Sequence, residues 1–136
     1  PGSGKTTLLR DLVRQLSLRE TVAVVDERRE LFPEGFFNRG KALDVLSGCP
    51  KTAGIDTLLR TMGPSCIGVD EITSQEDTQA LVRAGWCGVR LIATAHAASI
   101  EDLHTRTVYK PLVQTNLFDH ILLLNRSKIW KEAQAQ

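Results

Sequence analysis

The chain opens on Pro1-Gly-Ser-Gly-Lys-Thr-Thr7, and no other stretch narrows its possible folds so far. Leu8, Leu9, Leu12, Val13 and Leu16 follow at helical spacing, so a glycine-rich loop runs directly into an amphipathic helix. Glycines let successive backbone N–H groups turn inward as an anion nest, and the positive end of the helix reinforces it. Gly4-Lys5-Thr6 fits the second half of the phosphate-loop pattern G-x-x-x-x-G-K-[ST], with Gly2, Ser3 and Thr7 in the same cradle. Lys5 is expected to reach the β- and γ-phosphates of ATP, and Thr6 to hold Mg²⁺ through its hydroxyl. The first glycine of the pattern would lie two residues before Pro1, and the strand that feeds such a loop would precede it. That strand is central in sheets of this kind, and without it two neighbours keep unpaired edges. The chain is therefore expected to be an N-terminally truncated fragment of a protein that continues upstream.

Downstream, apolar strand-like runs alternate with helical ones. Thr21–Asp26, Cys66–Asp70, Arg90–Thr94 and His120–Leu124 read as strands, the first two continuously apolar as strands buried on both faces should be. Ile55–Met62 reads as a helix stopped by Gly63-Pro64, and Ser74–Trp86 as a helix with a capping box, Ser74 being followed three residues later by Asp77. Ile100–Val113 reads as helical with a break at Pro111. Glu27–Cys49 reads as a long functional loop with a short helix near Lys41–Leu46, and the polar tail after Asn125 as frayed. Trp86 is expected to pack its helix on the sheet, and Phe32, Phe36 and Phe37 to form a small core within the loop. The alternation predicts an α/β fold, one domain over 1–136 with a mainly parallel sheet flanked by helices and lacking its first strand.

Two acids end the second strand. Asp70, after Ile67-Gly-Val, is expected to orient Mg²⁺, and Glu71 to polarise an attacking water. Asp26-Glu27-Arg28-Arg29-Glu30 stands at another strand end, the edge where open α/β sheets hold ligands. Pattern alone leaves it equally readable as a self-paired surface loop. His96, in Ala93-Thr94-Ala95-His96, follows the third strand, where a polar side chain can sense a γ-phosphate or simply be structural.

Composition removes several other classes. Lys and Arg number 17 against 16 acids, for a net charge of +1, so no basic excess points to nucleic acid. Cys49, Cys66 and Cys87 form no C-x-x-C pair, which suggests neither a zinc site nor a disulfide framework. No apolar run approaches the roughly 18 residues that span a bilayer.

Taken together, the Gly-Ser-Gly-Lys-Thr-Thr loop, the Asp26–Glu30 cluster, Leu58-Leu59-Arg60-Thr-Met-Gly-Pro64 leading to Asp70-Glu71, and Ala93–His96 resemble the secretion ATPase superfamily. Its four signatures, a Walker A loop, an Asp box, a Walker B and a His box, occur there in this order on a RecA-like P-loop core. Val25-Asp26-Glu27-Arg28-Arg29-Glu30-Leu31, Leu43–Lys51 and Gly85-Trp86-Cys87-Gly88-Val89 resemble most closely its sporulation branch, the stage III AA family of endospore-forming bacteria. The resemblance implies an ATPase acting as a hexameric ring at the cytoplasmic side of membrane-embedded channel proteins that join mother cell and forespore. It implies Walker A roles for Lys5 and Thr6, a Walker B role for Glu71, an acidic Asp-box role for Glu27 in catalysis, and a His-box role for His96 toward nucleotide. Many superfamily members have Gly-Glu where this chain has Asp70-Glu71, which places the water-polarising duty on Glu71. Arg28, Arg29 and Arg60 are candidates to reach a nucleotide, in one case across a subunit boundary. Two other readings remain open: a P-loop ATPase linked to nucleic acid, and a nucleotide-gated scaffold without turnover.

Overall fold

The computed structural model describes residues 4–33 and 43–124 and the backbone of 130–134. Its centre is a parallel sheet in the order β2-β1-β3-β4, made of β1 (Val22–Asp26), β2 (Leu43–Ser47), β3 (Cys66–Ile72) and β4 (Arg90–Ala95). Helix α1 (Lys5–Leu16) covers one face, while α2 (Lys51–Thr61) and α3 (Gln75–Trp86) cover the other.

Strand alternation sorts the core between these layers. Val22, Val24 and Cys66 pack with Leu9 and Val13 of α1, whereas Ala23, Val25, Ile67 and Val69 pack with Ile55, Leu58 and Leu81 of α2 and α3. Burial pushes the Cys66 thiol up to about 11, so it stays protonated and behaves as a small apolar residue. Two glycines permit the close layer spacing. A Cβ at Gly54 of α2 would stand 2.6 Å from Val25 Cγ1, and one at Gly68 of β3 would stand 3.0 Å from Val13 Cγ1.

Several expectations are corrected here. The segment read as a short helix forms β2, extending the sheet through register Val22↔Leu43 to Asp26↔Ser47. Helix α2 starts four residues earlier than its apolar periodicity suggests, directly after Pro50. The helical run after β4 is two short helices, α4 (Ile100–Thr105) and α5 (Lys110–Gln114), and Pro111 sits in the first turn of α5, where its missing N–H is harmless. Trp86 is 76% exposed, because it shares the solvent face of α3 with Gln79 and Arg83. Strand β5 (His120–Leu124) does not join the parallel sheet; it pairs antiparallel with β6 (Trp130–Gln134), in the tail expected to fray.

Phe32 and Leu31 are buried beside α1, while Phe36, Phe37 and Lys41 lie outside the described residues. A cleft of about 710 Å³ separates β4 from β5, lined by Leu8 and Leu12 of α1, Leu91 and Ala93 of β4, and Ile121 and Leu123 of β5.

Candidate active site

Helix α1 begins with no cap of its own. Gly4 is left-handed (φ 87°), contributes no side-chain hydrogen bond, and no acid occupies the first turn. Among the described residues no side chain caps the first-turn N–H groups, so they and the positive helix end suit an anion. Lys5 makes no ion pair among the described residues. Thr7 is exposed one residue beyond Thr6; Gly2 and Ser3 lie outside the described residues.

Facing this turn, β3 breaks step with β4 between Val69 and Ile72. Within the break Glu71 adopts φ 58°, a left-handed conformation that disfavours any residue with a Cβ. Such strain costs about 1–3 kcal/mol and persists only where neighbours over-determine it. Thr94 is the neighbour that does so here. Its hydroxyl accepts from the Glu71 N–H at 2.7 Å and donates to Asp70 Oδ1 at 2.5 Å. The other oxygen, Asp70 Oδ2, accepts from the Thr6 hydroxyl at 2.9 Å. Thr6, Asp70, Thr94 and the Glu71 backbone thus form one continuous hydrogen-bonded chain from α1 through β3 to β4.

The Glu71 carboxylate accepts from Arg28 Nη1 at 2.9 Å, with both side chains substantially exposed. An exposed pair of this kind contributes under about 1 kcal/mol, so a competing ligand can separate it. Glu27 takes a different partner: Lys51 Nζ donates to its Oε2 at 2.5 Å. Glu27, Arg28, Lys51, Asp70 and Glu71 line one crevice.

Asp26, adjacent to Glu27, is buried and inward. Its carboxylate accepts from the backbone N–H groups of Glu30 (3.1 Å), Leu31 (3.2 Å) and Phe32 (2.8 Å), which fixes the turn after β1. Arg10 of α1 closes the same turn by donating to the carbonyls of Glu30 and Leu31. His96 lies just past β4 with its side chain exposed; its backbone carbonyl accepts from Arg106 at 3.1 Å and Tyr109 at 3.2 Å, and its imidazole makes no hydrogen bond among the described residues.

The geometry therefore brings together Thr6, Asp70, Glu71, Glu27 and Arg28, and leaves His96 to one side. It adds two residues that sequence reasoning missed. Thr94 carried a usable signal, since it sits near the end of the strand that pairs with the one bearing Asp70. Lys51 carried none, because its partner is 24 positions away, on the far side of β2 in the sequence.

The donor set suits magnesium. No group of three or more His, Cys, Asp or Glu gathers among the described residues, so no all-protein metal cage is present. A hydroxyl and a single carboxylate oxygen, 2.9 Å apart beside an anion-ready helix end, suit a small hard cation that keeps waters and phosphate oxygens as its remaining ligands.

A model of the family described as "Sporulation stage III, protein AA" matches residues 1–134. The chain belongs to that family. Stage III sporulation protein AA of Bacillus subtilis is 42% identical over 94% of this chain and 45% of its own length. This chain is also similar to the uncharacterised protein ycf45 of Cyanidium caldarium, 31% identical over 76% of this chain and 33% of that protein. This member of the family thus spans less than half the length of these curated relatives. In three dimensions it resembles the ATPase DotB of Legionella pneumophila, with a TM-score of 0.59 and 17% identity over 97% of this chain and 42% of that one. That likeness shows that the two proteins share a fold. No helix among the described residues is long and apolar enough to cross a membrane.

Proposed function

We propose that this chain binds ATP with Mg²⁺ and hydrolyses it, and that the full-length protein couples turnover to assembling or operating a secretion-like channel between mother cell and forespore. The observation that carries the chemistry is the hydrogen-bonded chain Thr6–Asp70–Thr94–Glu71 beside the uncapped start of α1. Lys5 and the α1 N–H groups bind the phosphates. Thr6 and Asp70 would hold the magnesium ion, which neutralises phosphate charge when bound. Glu71, held by Thr94 through its backbone and only loosely by Arg28 through its carboxylate, orients and polarises the attacking water. Glu27 adds a second carboxylate in the same crevice, and His96, outside that crevice just past β4, is assigned to meet the nucleotide from its own side.

The family's sporulation context and the resemblance to a secretion ATPase support the channel role and the cytoplasmic face of a membrane complex as its place. In this reading the protein works as a hexameric ring, in which Arg29 or Arg60 of one subunit reaches the nucleotide of the next. Phosphate release by the full-length protein, measured against its own concentration, tests the reading. A rate per subunit that climbs with concentration and vanishes in Lys5→Ala is expected. Nucleotide binding with no phosphate release at any concentration would leave a nucleotide-gated scaffold instead.

A further inference from the structure

Lys51 occupies a place that neither helix electrostatics nor burial favours. It is the first residue of α2, where a cation opposes the helix dipole, and that helix has no acid in its first turn and no side-chain cap. Its side chain is only 4% exposed, so the ammonium has been taken almost wholly out of water. Buried ion pairs are poor stabilisers compared with apolar side chains of similar volume. Stability alone therefore does not account for a lysine at this position.

Its partners suggest what does. Nζ lies 2.5 Å from Glu27 Oε2 and 3.8 Å from Asp77 Oδ2. Asp77 is itself immobilised, because Oδ2 accepts from the N–H and the hydroxyl of Thr73 and from the N–H of Ser74, completing the capping box of α3. Helix α3 in turn follows directly on β3, which carries Asp70 and Glu71. Lys51 thus connects the acid at the end of β1 to the start of the helix that leaves the Asp70-Glu71 strand. Glu27 keeps Oε1 without a hydrogen bond among the described residues, in the crevice it shares with Arg28 and Glu71. Lys51 lines the same crevice, but its ammonium is turned to Glu27 and Asp77.

We propose that Lys51 is a positioning residue: it fixes one oxygen of Glu27 so that the other faces the reacting nucleotide, in register with Glu71. This rests on reading the site as an ATPase. The test is steady-state ATP hydrolysis by the full-length protein for wild type, Lys51→Met, Glu27→Gln and the double variant, alongside Mg²⁺-dependent binding of a fluorescent ATP analogue and thermal melts. Lys51→Met is expected to lower kcat about tenfold or more, with KM and analogue affinity within about twofold, and the double variant to be no slower than Glu27→Gln alone. Unchanged kcat in a folded Lys51→Met, or single effects that multiply in the double variant, overturns the proposal while leaving the ATPase reading intact. Should Lys51→Met not fold, Lys51→Gln takes its place; failure of both to fold makes Lys51 a residue of stability and also overturns it. A wild type that binds the analogue without turnover removes the ATPase reading, and this role with it.

Discussion

At the residue scale, the site depends on how Asp70 and Glu71 are held rather than on how many acids are present. Glu71 is kept at φ 58° by the hydroxyl of Thr94, so relieving the strain and keeping the chemistry are opposed. Glu71→Gly should raise stability by about 1 kcal/mol, since glycine accepts positive φ freely, and should abolish turnover. A thermal melt and a phosphate-release assay on the same sample check both halves. Thr94→Val keeps the shape but removes the bridge, leaving the Glu71 N–H and an Asp70 oxygen without partners. A loss of about 1–3 kcal/mol in denaturant unfolding is expected, with a fall in kcat well beyond that of a surface change. The type of residue at 70 and 71 was legible in the sequence because apolar strands ending in acids are a local pattern. The strain was not, because it arises from the register shift against β4, and Thr94 becomes part of the site only through that pairing.

At the element scale, local signals and tertiary partners divide the prediction. The capping box of α3 was readable because Ser74 and Asp77 are three residues apart, and both of its hydrogen bonds are present. Leu43–Ser47 was not readable as a strand: Leu43 and Leu46 fit helical spacing as well as Leu43 and Val45 fit alternation. The open edge of β1 decides between them by offering a five-residue parallel ladder. The Asp26–Glu30 cluster likewise divided in a way that its charges could not announce. Asp26 turns inward to hold the backbone and Glu27 turns to Lys51, although the two are adjacent and both acidic. Asp26→Ala orphans three backbone N–H groups in or beside the core, so unfolding free energy should fall by about 3 kcal/mol. If equilibrium denaturation shows a change under about 1 kcal/mol, the turn is held by Arg10 and not by Asp26.

At the scale of the whole molecule, β4 pairs with β3 on one side and faces the apolar cleft before β5 on the other, among the described residues. An extended apolar segment laid parallel to β4 would fill that cleft and satisfy its outer edge. Hydrogen exchange of the full-length protein should accordingly protect β4 amides as strongly as those of β1 and β3; exchange at loop rates would mean that the cleft stays open. The α/β class and the order of the motifs were legible because each βα unit repeats its pattern locally. The separate β5–β6 pair was not, since nothing in an apolar run says which sheet it will join. In the proposed function Glu71 does the chemistry, at a site whose nucleotide-binding groups work without it. The most direct test of that role is a single turnover of Mg²⁺ and ATP on the full-length protein, comparing wild type with Glu71→Gln by following both nucleotide binding and ADP formation. Binding within about twofold of wild type and ADP formation slowed by about a hundredfold or more are expected in Glu71→Gln. Equal rates of ADP formation in the two proteins would contradict it.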